Sequence, residues 1–363
     1  MTGREAEAMS KQLKLTDREW RAFFIEDLAT IDNGIRLIKA DMKAGETPFV
    51  GASEMENGVT GFVSNKNESR DKDVLGVNYN GSVCYSFYHP YEALFSDDVK
   101  RIKLKDRNAH SKYTLLFLSV AIAGQKEKYA YGYKFNSRRM KRQLLMLPVT
   151  PDDTPDWAFM SAYMRQEEKV LMKEAISRLE RQLAENHAEP VAFKGREWRA
   201  FVFGKEFSIS STSSSIDRKK LSEGDSIYPY ITRSDNQNGV DSFVCSQEGY
   251  KMDEGNVITI GLDTQTVFYQ PSAFYTGQNI QVVRHPKLNR HNALFVIRAI
   301  KILVQKFSWG SYGATLTRLK RGRLYLPITP DGTPDWAFMS AYMQGLEREM
   351  LREALAYFKE KIR

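Results

Sequence analysis

One short pattern in the chain could carry out hydrolytic chemistry. Pro151-Asp152 is followed by Glu167-Glu168-Lys169, the order of nucleases in which carboxylates hold Mg²⁺ and a lysine assists the attacking water. The matching place in the second half of the chain reads Glu347-Arg348-Glu349 and lacks the lysine. Glu167 and Lys169 also lie well inside a predicted helix, so a capped and solvated helix explains these residues better. A stand-alone Mg-dependent nuclease stays open as an alternative.

Other catalytic patterns do not occur in the sequence. It has no P-loop, no Gly-x-Gly-x-x-Gly after a strand, no Gly-x-Ser-x-Gly, and no metal-ligand spacing among its five histidines. Its two cysteines, Cys84 and Cys245, are too few for a disulfide scaffold or a multi-cysteine zinc site. We therefore expect no catalytic residue, no metal and no cofactor in this chain.

Basic residues are concentrated in two stretches that suit an anionic partner. Residues 100–142 contain 13 Lys and Arg against two acids, and residues 284–323 contain 10 and no acid, in a chain with a net charge of +8. A single run of this kind is more often a solvated face, but its recurrence favours nucleic acid. Aromatic residues are interleaved with the cations, as in many nucleic-acid interfaces: Tyr113, Tyr129, Tyr131, Tyr133, Phe307, Trp309 and Tyr312.

The two stretches recur because the chain is a tandem duplication. Thr154–Met164 is repeated letter for letter at Thr333–Met343, and Arg18–Phe23 is repeated at Arg196–Phe201. Eleven identical residues in a row do not arise by chance. The protein therefore contains two copies of one module of about 180 residues.

Each copy has the same predicted order of elements. Alternating apolar segments predict strands, and a turn region rich in Gly, Asn and Ser interrupts them. A helix follows near residues 110–126 and 290–306, with Asn108 and Asn289 as candidate N-caps. A long helix closes each module. The sequence predicts an α+β chain of two tandem, pseudo-symmetric α/β modules, each followed by a long helix.

The closing helices have clear start signals and an apolar seam. Thr154 and Thr333 suit the N-cap and the proline after each suits the first helical position. Apolar residues then recur at a spacing of four, three and four, which predicts that the two helices pair as an antiparallel coiled coil. Packing of each helix on its own module is the alternative. The seam residues are Met172, Ile176, Leu179, Leu183, Leu351, Leu355, Phe358 and Ile362.

Membrane insertion and secretion are not indicated. No apolar run approaches the length of about 18 residues that a membrane span needs, and the first 15 residues have no apolar signal core. We expect a cytoplasmic protein with no membrane partner.

The duplicated motifs resemble the specificity subunits of restriction–modification systems. Leu-Pro-Val/Ile-Thr-x-Asp-x-x-Pro-Asp-Trp-x-Phe-Met, from Leu147 and from Leu326, is similar to the BcgI-like type IIB branch. The Pro-Pro-Leu-x-Glu-Gln ending that is more frequent in the type I branch is missing, so type IIB is favoured and type I stays open. Other residues that carry the resemblance are Glu19-Trp20, Phe23, Leu28, Gly45, Pro48–Val50, Asn57–Val59, Phe62-Val63, Gly224, Tyr228–Ser234, Asn238–Val240 and Phe243-Val244.

The resemblance implies a non-catalytic DNA reader with two target-recognition domains. Each domain would bind one half of a bipartite, gapped site in double-stranded DNA, and the helices would set the distance between the halves. Methyltransferase or fused endonuclease–methyltransferase subunits would dock on the chain and carry the S-adenosylmethionine and Mg²⁺. A two-module interaction scaffold without a DNA role is the remaining alternative. The expected divisions are a flexible tail (1–17), recognition domain 1 (18–153), helix 1 (154–188), recognition domain 2 (189–332) and helix 2 (333–363).

Candidate DNA contacts fall into two classes. Polar loop residues are expected to read base edges, although Asn57-Gly58 and Asn238-Gly239 are explained equally well as simple turns. The base-reading candidates are Ser53, Glu54, Asn57, Arg233, Ser234, Asp235, Asn236, Asn238, Tyr131, Trp309 and Tyr312. The phosphate candidates are Lys103, Lys105, Arg107, Lys134, Arg138, Arg139, Lys141, Arg284, Lys287, Arg290, Arg318, Lys320 and Arg321.

Overall fold

The computed structural model describes residues 12–129, 133–307 and 315–362. The chain forms two compact units that divide inside a long helix, between residues 174 and 175. Each unit is mixed α and β, and the predicted fold class is confirmed in both. The five divisions predicted from the sequence stay a prediction.

The first unit contains a four-stranded sheet, a three-stranded sheet and a two-stranded sheet. The strand orders are β2-β8-β5-β6, β4-β3-β7 and β1-β9. All neighbours are antiparallel except β3 and β7. The strands are β1 Trp20–Phe24, β2 Ala29–Asn33, β3 Ala44–Val50, β4 Val59–Val63, β5 Val74–Asn78, β6 Ser86–His89, β7 Leu94–Phe95, β8 Val99–Leu104 and β9 Leu144–Pro148; the helices are α1 Ile25–Leu28, α2 Lys112–Ala123, α3 Ser137–Lys141 and α4 Trp157–Glu185.

The second unit repeats this topology strand for strand. Its orders are β11-β17-β14-β15, β13-β12-β16 and β10-β18. The strands are β10 Trp198–Val202, β11 Ser208–Ser211, β12 Tyr228–Ile231, β13 Val240–Val244, β14 Val257–Gly261, β15 Val267–Gln270, β16 Tyr275–Thr276, β17 Ile280–Arg284 and β18 Arg323–Pro327; the helices are α5 Phe203–Glu206, α6 Arg290–Val304, α7 Leu316–Arg321 and α8 Trp336–Ile362.

The main core of each unit lies between the four-stranded sheet and the helix that follows it. In the first unit Leu75 and Ile102 of the sheet pack with Leu115 of α2, and all three are at most 1% exposed. The equivalent cluster in the second unit includes Ile258 and Val296, both fully buried. Because β5 and β14 are covered on both faces, all of their residues are buried and their sequences lack alternation.

The start of each closing helix differs from the prediction by two residues. Asp156 is the N-cap of α4, because its Oδ1 accepts from the backbone N of Phe159 at 2.8 Å; Asp335 caps α8 in the same way at 2.9 Å. The prediction of Thr154 and Thr333 was wrong because Pro155 forms a β-bridge with Val149, which keeps the chain extended there. The equivalent bridge joins Ile328 and Pro334.

Of the two N-caps predicted for the shorter helices, one is confirmed and one is wrong. Asn289 caps α6, where its Oδ1 accepts from the backbone N of Asn292 at 2.9 Å. Asn108 does not cap α2, because that helix begins three residues later and the Ser111 hydroxyl accepts from the backbone N of Thr114 at 3.3 Å.

Candidate nucleic-acid interface

The Asn-Gly sequence of the first unit forms a tight loop between β3 and β4. Gly51 N donates to Gly58 O at 2.8 Å and closes the loop. Asn57 adopts φ 53° and ψ 30°, and Gly58 has φ 77°, conformations that Asn and Gly tolerate best. The Ser53 hydroxyl accepts from Met55 N at 3.0 Å inside the loop. Side chains of Glu54 and Asn57 remain exposed.

The second unit builds the same loop between β12 and β13. Thr232 N donates to Gly239 O at 2.8 Å, and Asn238 has φ 55° and ψ 30°. Ser234 Oγ accepts from Asn236 N at 3.1 Å, and Asp235, Asn236 and Asn238 are exposed. Arg233 differs from these because its guanidinium forms an ion pair with Asp263 on the neighbouring β14–β15 hairpin.

In the first unit, a hairpin and a basic segment lie beside this loop. The side chain of Asn78, at the end of β5, donates to Ser53 O at 2.9 Å. Lys126 donates to the Tyr85 hydroxyl at 3.0 Å and lies 4.3 Å from the centre of that ring. The hydrogen bond to Tyr85, with Glu54 nearby, raises the pKa of Lys126. Lys126 of the basic stretch 100–142 and Tyr85 thus lie beside the loop, a proximity that the sequence did not predict.

The short helix α3 carries two exposed cations, Arg138 and Lys141, and the half-buried Arg139. Its cap is Asn136, whose Oδ1 accepts from Arg139 N at 3.0 Å. The Arg139 guanidinium lies 3.7 Å from the centre of the Tyr133 ring, and Tyr133 stacks on Tyr129 at 5.9 Å. These rings and Arg138, Arg139 and Arg142 line a cleft of about 400 Å³. The predicted phosphate contacts Lys134, Arg138 and Lys141 are all exposed.

Helix α7 is the counterpart of α3 in the second unit. Thr315 caps it, accepting from Arg318 N at 3.4 Å, while Leu319 anchors it in the core. Lys320 and Arg321 are exposed. The predicted base-reading residues Tyr131, Trp309 and Tyr312 lie outside the described residues.

The remaining predicted phosphate contacts lie at the opposite end of each four-stranded sheet. In the first unit, Asn78 pairs with Val99 at one end of β8, and Leu104 lies at the other end. The strand separates the two ends by about 17 to 20 Å. Ser137 of α3 donates to Asn33, which pairs with Lys100, so the N-terminus of α3 lies at the loop end. Arg138 and Lys141 of the same helix line a cleft with Glu26 of α1. The contacts at the far end are Lys103, Lys105 and Arg107 in the first unit and Arg284, Lys287 and Arg290 in the second.

Three of these far-end cations are already paired with carboxylates of their own unit. Lys103 Nζ lies 2.6 Å from Asp71 Oδ1, and Arg284 lies 2.7 Å from the fully buried carboxylate of Asp253. Arg290 pairs with Glu347 of α8. Lys105, Arg107 and Lys287 are exposed. The structure therefore does not gather the thirteen cations on one surface.

The predicted apolar seam is half-buried along both closing helices. This holds for Met172, Ile176, Leu179, Leu183, Leu351, Leu355, Phe358 and Ile362. Within the second unit, Lys359 Nζ of α8 lies 2.7 Å from Glu180 Oε1 of α4, and Arg348 donates to Asn186 O. Pairing of the two helices as a coiled coil stays a prediction.

Within the nuclease-like segment, the residue between Glu167 and Lys169 contacts α2. Glu168 accepts from Lys112 and from the Tyr113 hydroxyl, and Asp152 is exposed in the turn before α4. Within the described ranges, three or more His, Cys, Asp or Glu side chains nowhere come together as a metal site. Across the same ranges, every helix is too short or too polar to span a membrane.

The chain is similar to known specificity proteins over most of its length. The family model described as "Type I restriction modification DNA specificity domain" matches residues 17–181 and again residues 202–355. The "Type II restriction enzyme BgcI specificity subunit S.BcgI" of Heyndrickxia coagulans is 53% identical over 166 residues, 46% of this chain and 48% of that relative. The match thus spans about half the length of this relative. The two ranges of the family model follow the duplication, and the resemblance predicted from the motifs is confirmed.

Solved structures of low identity align with almost the whole chain. The S subunit of a type I restriction-modification system from M. genitalium aligns with 97% of this chain and 94% of its own length, at 14% identity and a TM-score of 0.45. The HsdS subunit from Thermoanaerobacter tengcongensis aligns with 94% and 91%, at 15% identity and a TM-score of 0.32.

Proposed function

Because this chain belongs to the family of type I restriction modification DNA specificity domains, with two copies of that domain, we propose that it is the DNA-reading subunit of a restriction–modification system. The observation that carries the proposal is the surface repeated in both units. An exposed Asn-Gly loop projects from each three-stranded sheet, and each unit also carries a short basic helix. Cations fix a protein on phosphates, and exposed polar side chains can then reach base edges.

Phosphate contacts are assigned to the exposed cations of the basic helices and the segments before them. Lys126, Lys134, Arg138 and Lys141 would bind the backbone at one half-site, and Lys320 and Arg321 at the other. The three cations paired with Asp71, Asp253 and Glu347 are left out of this set, since each already has an anionic partner.

Base reading is assigned to the two Asn-Gly loops. Asn57 and Asn238 have exposed amides, which suit the N6 and N7 atoms of adenine. Glu54 and Asp235 are exposed acceptors that suit the N4 amino group of cytosine. Arg233 suits guanine, and it would exchange its ion pair with Asp263 for the base.

The bipartite nature of the target is inferred from the duplication and the long helices. Helices α4 and α8 contain 29 and 27 residues, which at about 1.5 Å per residue gives roughly 40 Å for each. That length corresponds to about 12 base pairs, near one turn of DNA. Half-burial of the apolar seam and the Lys359–Glu180 ion pair support antiparallel pairing of the helices.

Partner subunits would supply the chemistry. We assign methylation and cleavage to methyltransferase or fused endonuclease–methyltransferase subunits, which would carry S-adenosylmethionine and Mg²⁺. The 53% identity to a type II specificity subunit supports the BcgI-like branch, while the family model is named for type I systems.

The test is the methylome of the source cells with and without this gene. Loss of a single bipartite, gapped methylation motif is the expected result, and it would identify both half-sites. If the methylome is unchanged, salt-dependent binding of the purified chain to random duplex DNA is measured next. A chain that binds DNA no better than a neutral protein of its size refutes the proposal.

A further inference from the structure

A carboxylate on the closing helix ties the first unit's α2 to α4. Glu168 of α4 accepts from Lys112 on one oxygen and, at 2.7 Å, from the Tyr113 hydroxyl on the other. That hydrogen bond raises the pKa of Tyr113. One turn earlier on α4, the Arg165 guanidinium lies 4.9 Å from the centre of the Tyr113 ring.

The second unit has the same arrangement at equivalent positions. Glu347 of α8 pairs with Arg290 through one oxygen, and its other oxygen lies 3.1 Å from His291 Nε2. One turn earlier, Gln344 Nε2 lies 3.3 Å from His291 Nδ1. Asn186, just beyond α4, donates to Gln344 O at 3.0 Å. We call the two sets, centred on Glu168 and Glu347, the carboxylate clamps.

The two clamps occupy equivalent positions relative to the caps of their helices. Lys112 and Arg290 each follow the N-cap of their helix, and Glu168 and Glu347 lie at the same distance from their capping aspartates, Asp156 and Asp335. The partners differ in type, with Lys and Tyr in one unit and Arg and His in the other, yet both oxygens of the carboxylate are used in each. A two-point contact restricts rotation as well as distance.

We propose that Glu168 and Glu347 are positioning residues that fix the angle between each recognition module and its closing helix, and thereby set which separation of half-sites the chain accepts. The inference rests on the proposed function.

A small change of angle at such a contact displaces the far end of the closing helix by a much larger distance than it moves the contact itself. From Glu347 to the end of α8 there are 15 residues, or about 22 Å at ~1.5 Å per residue, so each degree of tilt moves the helix end by about 0.4 Å. One base-pair step of ~3.4 Å then corresponds to a tilt of about 9°. Both clamp carboxylates are about one-third exposed, at 29% and 31%, so their loss should loosen the angle without unfolding the module.

The experiment measures affinity against the gap between half-sites. Full-length chain, wild type and E168Q or E347Q, is titrated with duplexes that carry both half-sites at the natural gap or at gaps one base pair shorter and longer. We expect wild type to favour the natural gap by about tenfold and each variant to favour it by about threefold or less, the change expected for loss of one charge-assisted contact. Affinity for a duplex with a single half-site should stay unchanged.

Matched variants separate positioning from general damage. E174Q and E353Q remove exposed carboxylates from the same two helices and should retain the wild-type gap preference. K112R should retain it and K112M should lose it. If E168Q and E347Q weaken binding equally at every gap, or leave the gap preference intact, the inference is wrong while the proposed function stands. Absence of any sequence-specific binding by wild type would instead refute the proposed function.

Discussion

The two Asn-Gly loops have the same backbone, but the equivalent position of β6 and β15 holds a different side chain in each unit. Asn57 and Asn238 agree within 2° in φ and share ψ 30°. In the second unit Gln270 Nε2 donates to Asn238 O at 3.0 Å and to Thr259 Oγ1 at 3.1 Å. His89 occupies the equivalent place in the first unit, and its buried Nε2 has no hydrogen-bond partner among the described residues. The loop conformation thus follows from its own Asn-Gly sequence and does not require one particular anchor.

The loops also differ in what they offer to a ligand. Ser53 and Glu54 match Ser234 and Asp235, but Ala52 stands where the second unit has Arg233. Only one loop therefore carries a guanidinium, which is restrained by Asp263. A common scaffold with different side chains fits the proposal of two half-sites, and under that proposal the half-sites differ in sequence.

The largest difference is expected from the buried aspartate that organises each sheet edge. Asp253 is fully buried and accepts from Arg284 at 2.7 Å and from Ser213 N at 2.8 Å, whereas Asp71 is 14% exposed. Asp253→Ala should destabilise the second unit by about 3–5 kcal/mol, because Ser213 N, the Thr212 hydroxyl and Arg284 lose one buried acceptor together. Asp71→Ala should cost about 1–3 kcal/mol.

Hydrogen exchange read by mass spectrometry measures this difference strand by strand. Protection should fall in β11 and β17 for the Asp253 variant and in β2 and β8 for the Asp71 variant. Equal loss in both units from either variant would contradict the independence of the two modules.

Acid should affect His89 and the equivalent Gln270 differently. Burial lowers the pKa of His89 from 6.5 to about 4, so between these values the unfolded chain binds a proton that the folded chain does not. Stability from this group is complete above pH 6.5 and is lost as the pH falls to 4, by about 3 kcal/mol. Gln270 does not titrate, so the second unit has no acid-sensitive side chain at this position; elsewhere in that unit, burial lowers the pKa of His285.

The control variant copies the second unit into the first. His89→Gln should flatten the pH dependence of urea unfolding between pH 6.5 and 4 relative to wild type. A variant whose unfolding midpoint still falls as steeply as that of wild type would show that His89 is not the titrating group.

Some features of the two units could be predicted from the sequence and others could not. Duplication, fold class, long closing helices and Asn-Gly turns follow from local patterns and repeats. The N-caps at Asp156 and Asp335 did not, since the extended bridge at the preceding proline depends on pairing with a residue six positions away. Likewise the Asp71–Lys103 pair and the contact of Lys126 with Tyr85 join residues 32 and 41 positions apart. Whether a cation is available to bind DNA therefore depends on tertiary contacts, which composition does not reveal.

Replacement of Arg233, which has no arginine counterpart in the first loop, should affect one half-site only. Arg233→Ala should relax discrimination at one base pair of the second unit's half-site by about 1–3 kcal/mol if the guanidinium reads a base. Asp263→Asn should retain the discrimination, because it removes the restraining charge and leaves the reader. Affinities for duplexes with single base changes in each half-site test both. A uniform loss over all duplexes would assign Arg233 to the phosphates instead.

The smallest effect is expected from the exposed cations, where the comparison is between the two ends of a sheet. Arg138→Ala and Lys320→Ala should each weaken binding to every sequence by about 1 kcal/mol and reduce the slope of log affinity against log salt by about 0.9, since one phosphate contact releases one counterion. Lys105 is also exposed but lies at the far end of the sheet, so Lys105→Ala should leave the slope unchanged within error. Both kinds of variant remove one positive charge. If binding depends only on general electrostatic attraction, both should lower the salt slope equally; if DNA docks at the loop end, only the loop-end variants should lower it. Equal slopes for Arg138→Ala and Lys105→Ala would show that DNA does not dock at the loop end of the sheet. The assignment of the Asn-Gly loops as base readers would then be wrong.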